Sequence, residues 1–168
     1  MSDAQHPHEP TLSRSAALRP ALSDLVHRYA ALGDLRRPAQ LAALFTATGE
    51  LVIPTPPDRL QAHRVLTGPR QIGEHLAVLE ELSLTVHQIV GEVYDAPATS
   101  AADSTAGEPP TTATGRVACI ANHLTGERNL VWHLHYDDRY VREGARWRFA
   151  RRELHIDFIE TRQVRRHR

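Results

Sequence analysis

A chain of 168 residues is long enough for one domain with a real core and too short for two comfortable ones. Its 20 basic and 20 acidic side chains cancel, so no global field favours nucleic acid or an anionic membrane surface. Every basic residue is arginine, which excludes a lysine Schiff base, a pyridoxal phosphate anchor and a P-loop lysine, and the single Cys119 can form neither an internal disulfide nor a thiolate metal cluster.

Residues 1–14 carry Pro, His and Ser without an apolar run and read as a flexible arm, neither signal peptide nor membrane anchor. No later stretch approaches the roughly 20 apolar residues of a bilayer span, so a soluble, cytoplasmic protein is expected. From Leu18, the apolar positions Leu22, Leu25, Val26, Tyr29 and Leu32 recur at three- and four-residue steps, the signature of a helix with one buried face. Pro20 fits such a helix only in its first turn, and Gly33 can stop it. Pro38 sits at the first-turn position of a second, shorter helix presenting Leu41, Leu44 and Phe45.

Residues 51–53 form a short apolar run before a Pro-rich turn and predict a first strand; 62–66 suit a second. Gly68 and Pro69 then open a third helix with Ile72, Leu76 and Leu79 on one face, ending near Leu82. Beyond Ser83 the period changes to two, and 83–94, 115–124, 129–141 and 146–158 predict four long strands in an antiparallel meander. Residues 95–114, rich in Ala, Pro, Ser, Thr and Gly, read as a mobile loop insertion. Residues 161–168 form a basic tail, and 15–160 the domain.

The segment Tyr29-Ala-Ala-Leu-Gly-Asp34, followed by Leu41-Ala-Ala-Leu-Phe45, then Thr85-Val-His87 and finally Arg146-Trp-Arg-Phe-Ala-Arg-Arg152, resembles the motif series of the SnoaL-like branch of the nuclear transport factor 2-like superfamily. The resemblance implies an α+β fold: a cone-like barrel in which N-terminal helices pack on a strongly curved, mainly antiparallel mixed sheet and enclose a pocket. It also implies a homodimer. Fold alone selects no activity, because such superfamilies host dehydratases, isomerases, epoxide hydrolases, cyclases and non-catalytic subunits.

Scytalone dehydratase and the bile-acid dehydratase of that superfamily use an Asp–His pair, and Asp34 and His87 stand at the matching positions. A carboxylate that accepts from one imidazole nitrogen fixes the tautomer and leaves the other nitrogen as a base. The structural alternative makes Asp34 the cap of the second helix and His87 a half-buried strand residue. His123 matches a second pocket histidine that could polarise a carbonyl or protonate a leaving hydroxyl, or it is a partly exposed residue beside a turn. Tyr136 replaces a pocket Asn and Gly33 a tyrosine of the fungal enzyme, departures that argue against the same substrate. Tyr29 could supply a phenol or belong to the core. Arg152, on one side of its strand with Leu154 and Ile156, either meets a substrate oxyanion or pairs with an acidic neighbour. His133 and His135, with Asp137, share a face that could hold a metal. That face is expected to lie outside the pocket, where relatives dimerise, so no metal is assigned, and with neither a nucleotide loop nor a Ser-based nucleophile motif in the sequence no cofactor is expected.

The expected activity is a cofactor-free lyase or isomerase of dehydratase or cyclase type, acting on a hydrophobic oxygenated small molecule such as a polyketide or terpenoid intermediate. Asp34, His87 and His123 would be its catalytic groups, and Tyr29, Tyr136, Arg152 and Leu154 its substrate contacts. Two rivals stand beside it: an epoxide hydrolase or epoxide-opening cyclase using Asp34 and Arg152, and a non-catalytic ligand-binding or assembly subunit. Neither nucleic acid nor membrane is expected as a partner.

Overall fold

Leu18, Leu22, Leu25, Val26 and Tyr29 are all buried along one face of the long helix α1 (Pro10–Asp34), as the three- and four-residue spacing requires. The computed structural model describes residues 10–97 and 110–165. After α1 come α2 (Pro38–Ala42), β1 (Phe45–Thr55), β2 (Arg59–Thr67) and α3 (Gly68–Leu76), which tightens into a 3₁₀ turn over Ala77–Glu81. Four long strands follow: β3 (Leu84–Asp95), β4 (Thr112–Thr125), β5 (Arg128–Glu143) and β6 (Arg146–Gln163). They form one curved, unclosed sheet in the order β2-β1-β6-β5-β4-β3, antiparallel except where β1 runs parallel to β6. This is the expected α+β architecture.

Several boundaries differ from the sequence reading. Helix α1 begins at Pro10, inside the stretch assigned to the arm; residues 1–9 lie outside those described. Pro20 sits near the middle of α1, not in its first turn. It costs the helix one backbone hydrogen bond, but it lies on the exposed side, while burial of the opposite face holds the helix in place. Helix α2 has only one turn, and Phe45 opens β1, where it pairs with Phe149. Gly49 permits that close parallel approach, since a Cβ there would stand 2.9 Å from the Phe149 carbonyl oxygen. The β3–β4 ladder extends through Asp95 and Thr114, so both ends of the proposed loop insertion are strand; residues 98–109 lie outside those described. Residues 161–163 of the supposed tail likewise belong to β6, paired with β5 as far as Gln163.

Between α1 and the sheet lies a core with a charge inside it. Tyr29, Phe45 and Phe149 cluster with ring centroids 5.1–6.3 Å apart. Arg152 beside them is fully buried. Its Nε and Nη2 donate to the two carboxylate oxygens of Asp138 at 2.8 and 2.7 Å, and the Tyr140 hydroxyl donates to the same carboxylate at 2.7 Å. Of the two readings of Arg152, the structure shows the acidic pair. Removing one member leaves the other charged and unpaired in the core. We expect Asp138→Asn to lower stability by about 3–5 kcal/mol in urea titration, and Asp138→Leu combined with Arg152→Met to recover most of the loss. A single-variant loss below about 1 kcal/mol, the range of exposed pairs, would mean that the pair is hydrated in solution.

Candidate active site

The inner face of the sheet, the end of α1 and the 3₁₀ turn enclose a cavity of about 400 Å³, within the usual range for small-molecule sites. Strand alternation supplies one wall: Leu130, Trp132, Leu134 and Tyr136 project from the same side of β5. Leu41, Leu51, Ile53 and Leu154 add further apolar lining, so the space is largely hydrophobic.

Asp34 and His87 meet at the rim of this space. Asp34 is the last residue of α1, where the helix dipole disfavours a carboxylate, and its compensation comes from β3. The backbone N–H of His87 donates to both Asp34 oxygens, at 2.9 and 3.1 Å, and the ring Nδ1 donates to Oδ1 at 2.7 Å. With Nδ1–H committed to the carboxylate, Nε2 carries the free lone pair, and the ring borders the cavity. Asp34 itself is not among the lining residues. It does not cap α2 either, whose N-cap position is Arg37 without a side-chain bond. The His87 ring packs beside Gly33, where a Cβ would stand in ordinary van der Waals contact with it at 3.4–3.5 Å.

His123 lies across from His87, with ring centroids 5.6 Å apart, and stands edge-to-face with Trp132 at 4.7 Å. Far from being a partly exposed turn residue, it is buried, and its Nδ1 meets the Thr85 hydroxyl at 3.1 Å. Burial, reinforced by the neighbouring His87, pushes its pKa down from 6.5 to about 4, although Asp34 pulls the other way. At neutral pH His123 is therefore an uncharged hydrogen-bonding group, suited to polarising a carbonyl and unsuited to delivering a proton from an imidazolium.

Tyr29, Tyr136 and Leu154 line the cavity. Burial, above all other influences, raises the phenol of Tyr29 to about 12 and that of Tyr136 well above its ordinary value, so both stay protonated and can donate. Arg152 does not line the cavity. It stacks behind it, its guanidinium carbon 4.3 Å from the Tyr29 ring centroid and 4.0 Å from that of Tyr136. Trp132, His75 and Arg64 border the space and were missed in the sequence. Alternation from Tyr136 could have found Trp132, whose indole N–H is buried without a partner among the described residues. Nothing in the sequence marks His75 or Arg64, which arrive from α3 and β2.

The family model for the SnoaL-like domain matches residues 14–153. No curated protein matches in sequence. Among solved structures, a candidate scytalone dehydratase from Novosphingobium aromaticivorans superposes with a TM-score of 0.72 at 20% identity, over 92% of this chain and 93% of its own. A hexachlorocyclohexane dehydrochlorinase, LinA type 2, gives 0.66 at 19% identity, over 93% and 96%. Aln2 from a Streptomyces species gives 0.65 at 17%, over 85% and 93%. At these identities the likeness shows a shared fold.

The depressed pKa of His123 has a consequence for stability. An unfolded chain protonates this ring near 6.5 and the folded chain near 4, so the folded state binds fewer protons across that window. The contribution is complete above about 6.5 and is lost as the pH falls through about 4, by about 3 kcal/mol in total. Thermal unfolding of the native chain should show this acid limb, and His123→Gln should flatten it. An unchanged limb would mean that the ring is protonated in the folded protein as readily as in water.

Proposed function

Because the chain belongs to the SnoaL-like domain family, we propose that it is a cofactor-free lyase or isomerase that moves protons on a hydrophobic, oxygenated small molecule. The observation that carries this reading is the Asp34–His87 pair at the edge of an apolar cavity, with a carboxylate fixing one ring nitrogen and the other left as a base.

In the dehydration form of the reaction, His87 Nε2 takes the proton from a carbon beside a carbonyl. The C–H electron pair becomes the new C=C bond as the C–O bond to a β-hydroxyl breaks, and the departing oxygen leaves as water with the proton from the imidazolium. Atoms and electrons balance without an oxidant or reductant. Neutral His123, and the phenols of Tyr29 or Tyr136, would donate hydrogen bonds to the carbonyl oxygen as negative charge develops on it. Without the β-hydroxyl, return of the proton at another carbon gives isomerisation. Asp34 is a positioning residue in this scheme, since it acts through His87. The epoxide reading loses support, because Arg152 is held by Asp138 behind the cavity wall. An open cavity also favours an enzyme over an assembly subunit with a filled pocket. Homodimerisation remains part of the proposal; Val93 and Phe158 leave apolar surface exposed on the sheet.

The test is turnover of a panel of hydrophobic β-hydroxy ketones by the native chain and its variants. His87→Ala should lower kcat by about 10²–10⁴-fold, the usual contribution of a positioned general base. Asp34→Ala should lower it less and alter the pH profile. Turnover of any panel member that survives His87→Ala undiminished would overturn the proton-abstraction reading.

A further inference from the structure

The sheet face turned away from the cavity carries a second cluster of titratable side chains. Since Trp132, Leu134 and Tyr136 line the cavity, His133, His135 and Asp137 project outward from β5. His135 is paired across the ladder with His155 of β6, and the two rings stack at 5.1 Å with 13° between their planes. One nitrogen of each ring and one carboxylate oxygen of Asp137 lie within 4.8 Å of one another. His133, which the sequence placed in the same group, is diverted: its Nε2 lies 2.8 Å from Glu160, and its ring stacks on Phe158.

The orientation of the two rings says what the cluster can do. His135 Nδ1 donates to Asp157 at 3.0 Å, and His155 Nδ1 meets the amide oxygen of Gln61 at 2.8 Å. The backbone N–H of Ala62 donates to the same His155 Nδ1 at 3.4 Å, and the Gln61 amide can turn either its oxygen or its nitrogen to that atom. His135 thus carries its proton on Nδ1 and presents an unprotonated Nε2; His155 presents Nε2 in the same way once the Gln61 amide oxygen accepts from its Nδ1–H. Metal-ligating histidines are held in this way, with the second nitrogen bonded to a carboxylate or carbonyl oxygen that fixes tautomer and direction. His155 Nε2 already stands 3.9 Å from Asp137 and 3.8 Å from Glu153. Among the described residues Arg151 Nε donates to Glu153 at 2.6 Å, and the charge opposing Asp137 is Arg116, whose Nη1 donates to it at 3.1 Å. That pair is solvent-exposed and worth no more than about 1 kcal/mol, so it yields to a divalent ion.

We infer that the outer sheet face binds a first-row divalent cation of the Zn²⁺ type through His135 Nε2, His155 Nε2 and the Asp137 carboxylate. Two imidazoles and one carboxylate are a nitrogen–oxygen donor set suited to zinc, whereas magnesium and calcium prefer all-oxygen sites. Ligand bonds of about 2.0–2.2 Å require the three groups to close in slightly, a movement available to the half-exposed Asp137 side chain.

Isothermal titration of the metal-free full chain with ZnCl₂ tests this, with Co²⁺ absorption as a second readout. One ion per chain is expected, with affinity reduced at least about tenfold by His155→Gln and by His135→Gln, and retained in His133→Ala and in the cavity variant His87→Ala. The visible Co²⁺ band should vanish in the same two Gln variants, whose folding is checked by circular dichroism. Failure of the native chain to bind Zn²⁺, or binding that persists in the His135→Gln, His155→Gln double variant, would overturn the assignment. Because the site lies outside the cavity, loss of the proposed activity in His87→Ala leaves this result untouched.

Discussion

A guanidinium without contact to water organises this domain. Burial alone would lower the pKa of Arg152, but the charge and hydrogen bonds of Asp138 more than offset that, and the net shift is upward, so the side chain stays ionised in the core. Its flat faces are covered by Tyr29 from α1, Tyr136 from β5 and Phe149 from β6, with its carbon 4.0–4.3 Å from the three ring centroids. Two of those rings also line the cavity. The ion pair therefore fixes α1 against the sheet, and with α1 the point at which its last turn delivers Asp34 to β3. One Arg152 nitrogen, Nη1, is left without a hydrogen-bond partner among the described residues. An arginine held this way shapes the pocket from behind and does not reach into it.

The two cavity histidines differ in what anchors them. His87 gives its Nδ1 proton to a carboxylate, and His123 has only the Thr85 hydroxyl. The carboxylate anchor holds the His87 proton on Nδ1 and leaves Nε2 as an acceptor, whereas burial keeps His123 uncharged. Two side chains of the same type, with ring centroids 5.6 Å apart, are thereby suited to opposite tasks: one to accept a proton, the other to donate a hydrogen bond while remaining uncharged.

Local physics wrote the helices and strands into the sequence legibly. The α1 stripe from Leu18 to Tyr29 and the period-two runs after Ser83 each needed only their own neighbours. Asp34 and His87 are far apart in sequence, and their contact could be anticipated only through the resemblance of their surrounding motifs, because nothing in spacing alone joins a helix end to a later strand. Phe45 was misread because a one-turn helix leaves too little periodicity to mark its end. Arg152 showed that it needed a partner, since a buried charge must have one, but not which. Asp138 and His155 stayed hidden because their partners depend on ladder register, which local composition does not encode.

That register turns on a single residue. From the turn at Gly144 the β5–β6 ladder runs regularly to Tyr140 opposite Phe149, then slips so that Arg139 faces Arg151. The extra residue, Ala150, inverts the alternation from there to a second slip, between Leu134 opposite Ile156 and His133 opposite Phe158. If the full strand paired without this slip, Arg151, Glu153 and His155 would point into the apolar cavity, and Arg152, Leu154 and Ile156 would point out. With it, Leu154 lines the pocket, Ile156 is buried, Arg152 falls opposite Asp138, and His155 falls opposite His135 on the other face. The bulge therefore generates both the buried ion pair behind the cavity and the outward histidine pair. Deleting Ala150 should therefore preserve the two together, because the shortened strand forms a regular ladder from the same turn with Arg152 still opposite Asp138 and His155 still opposite His135.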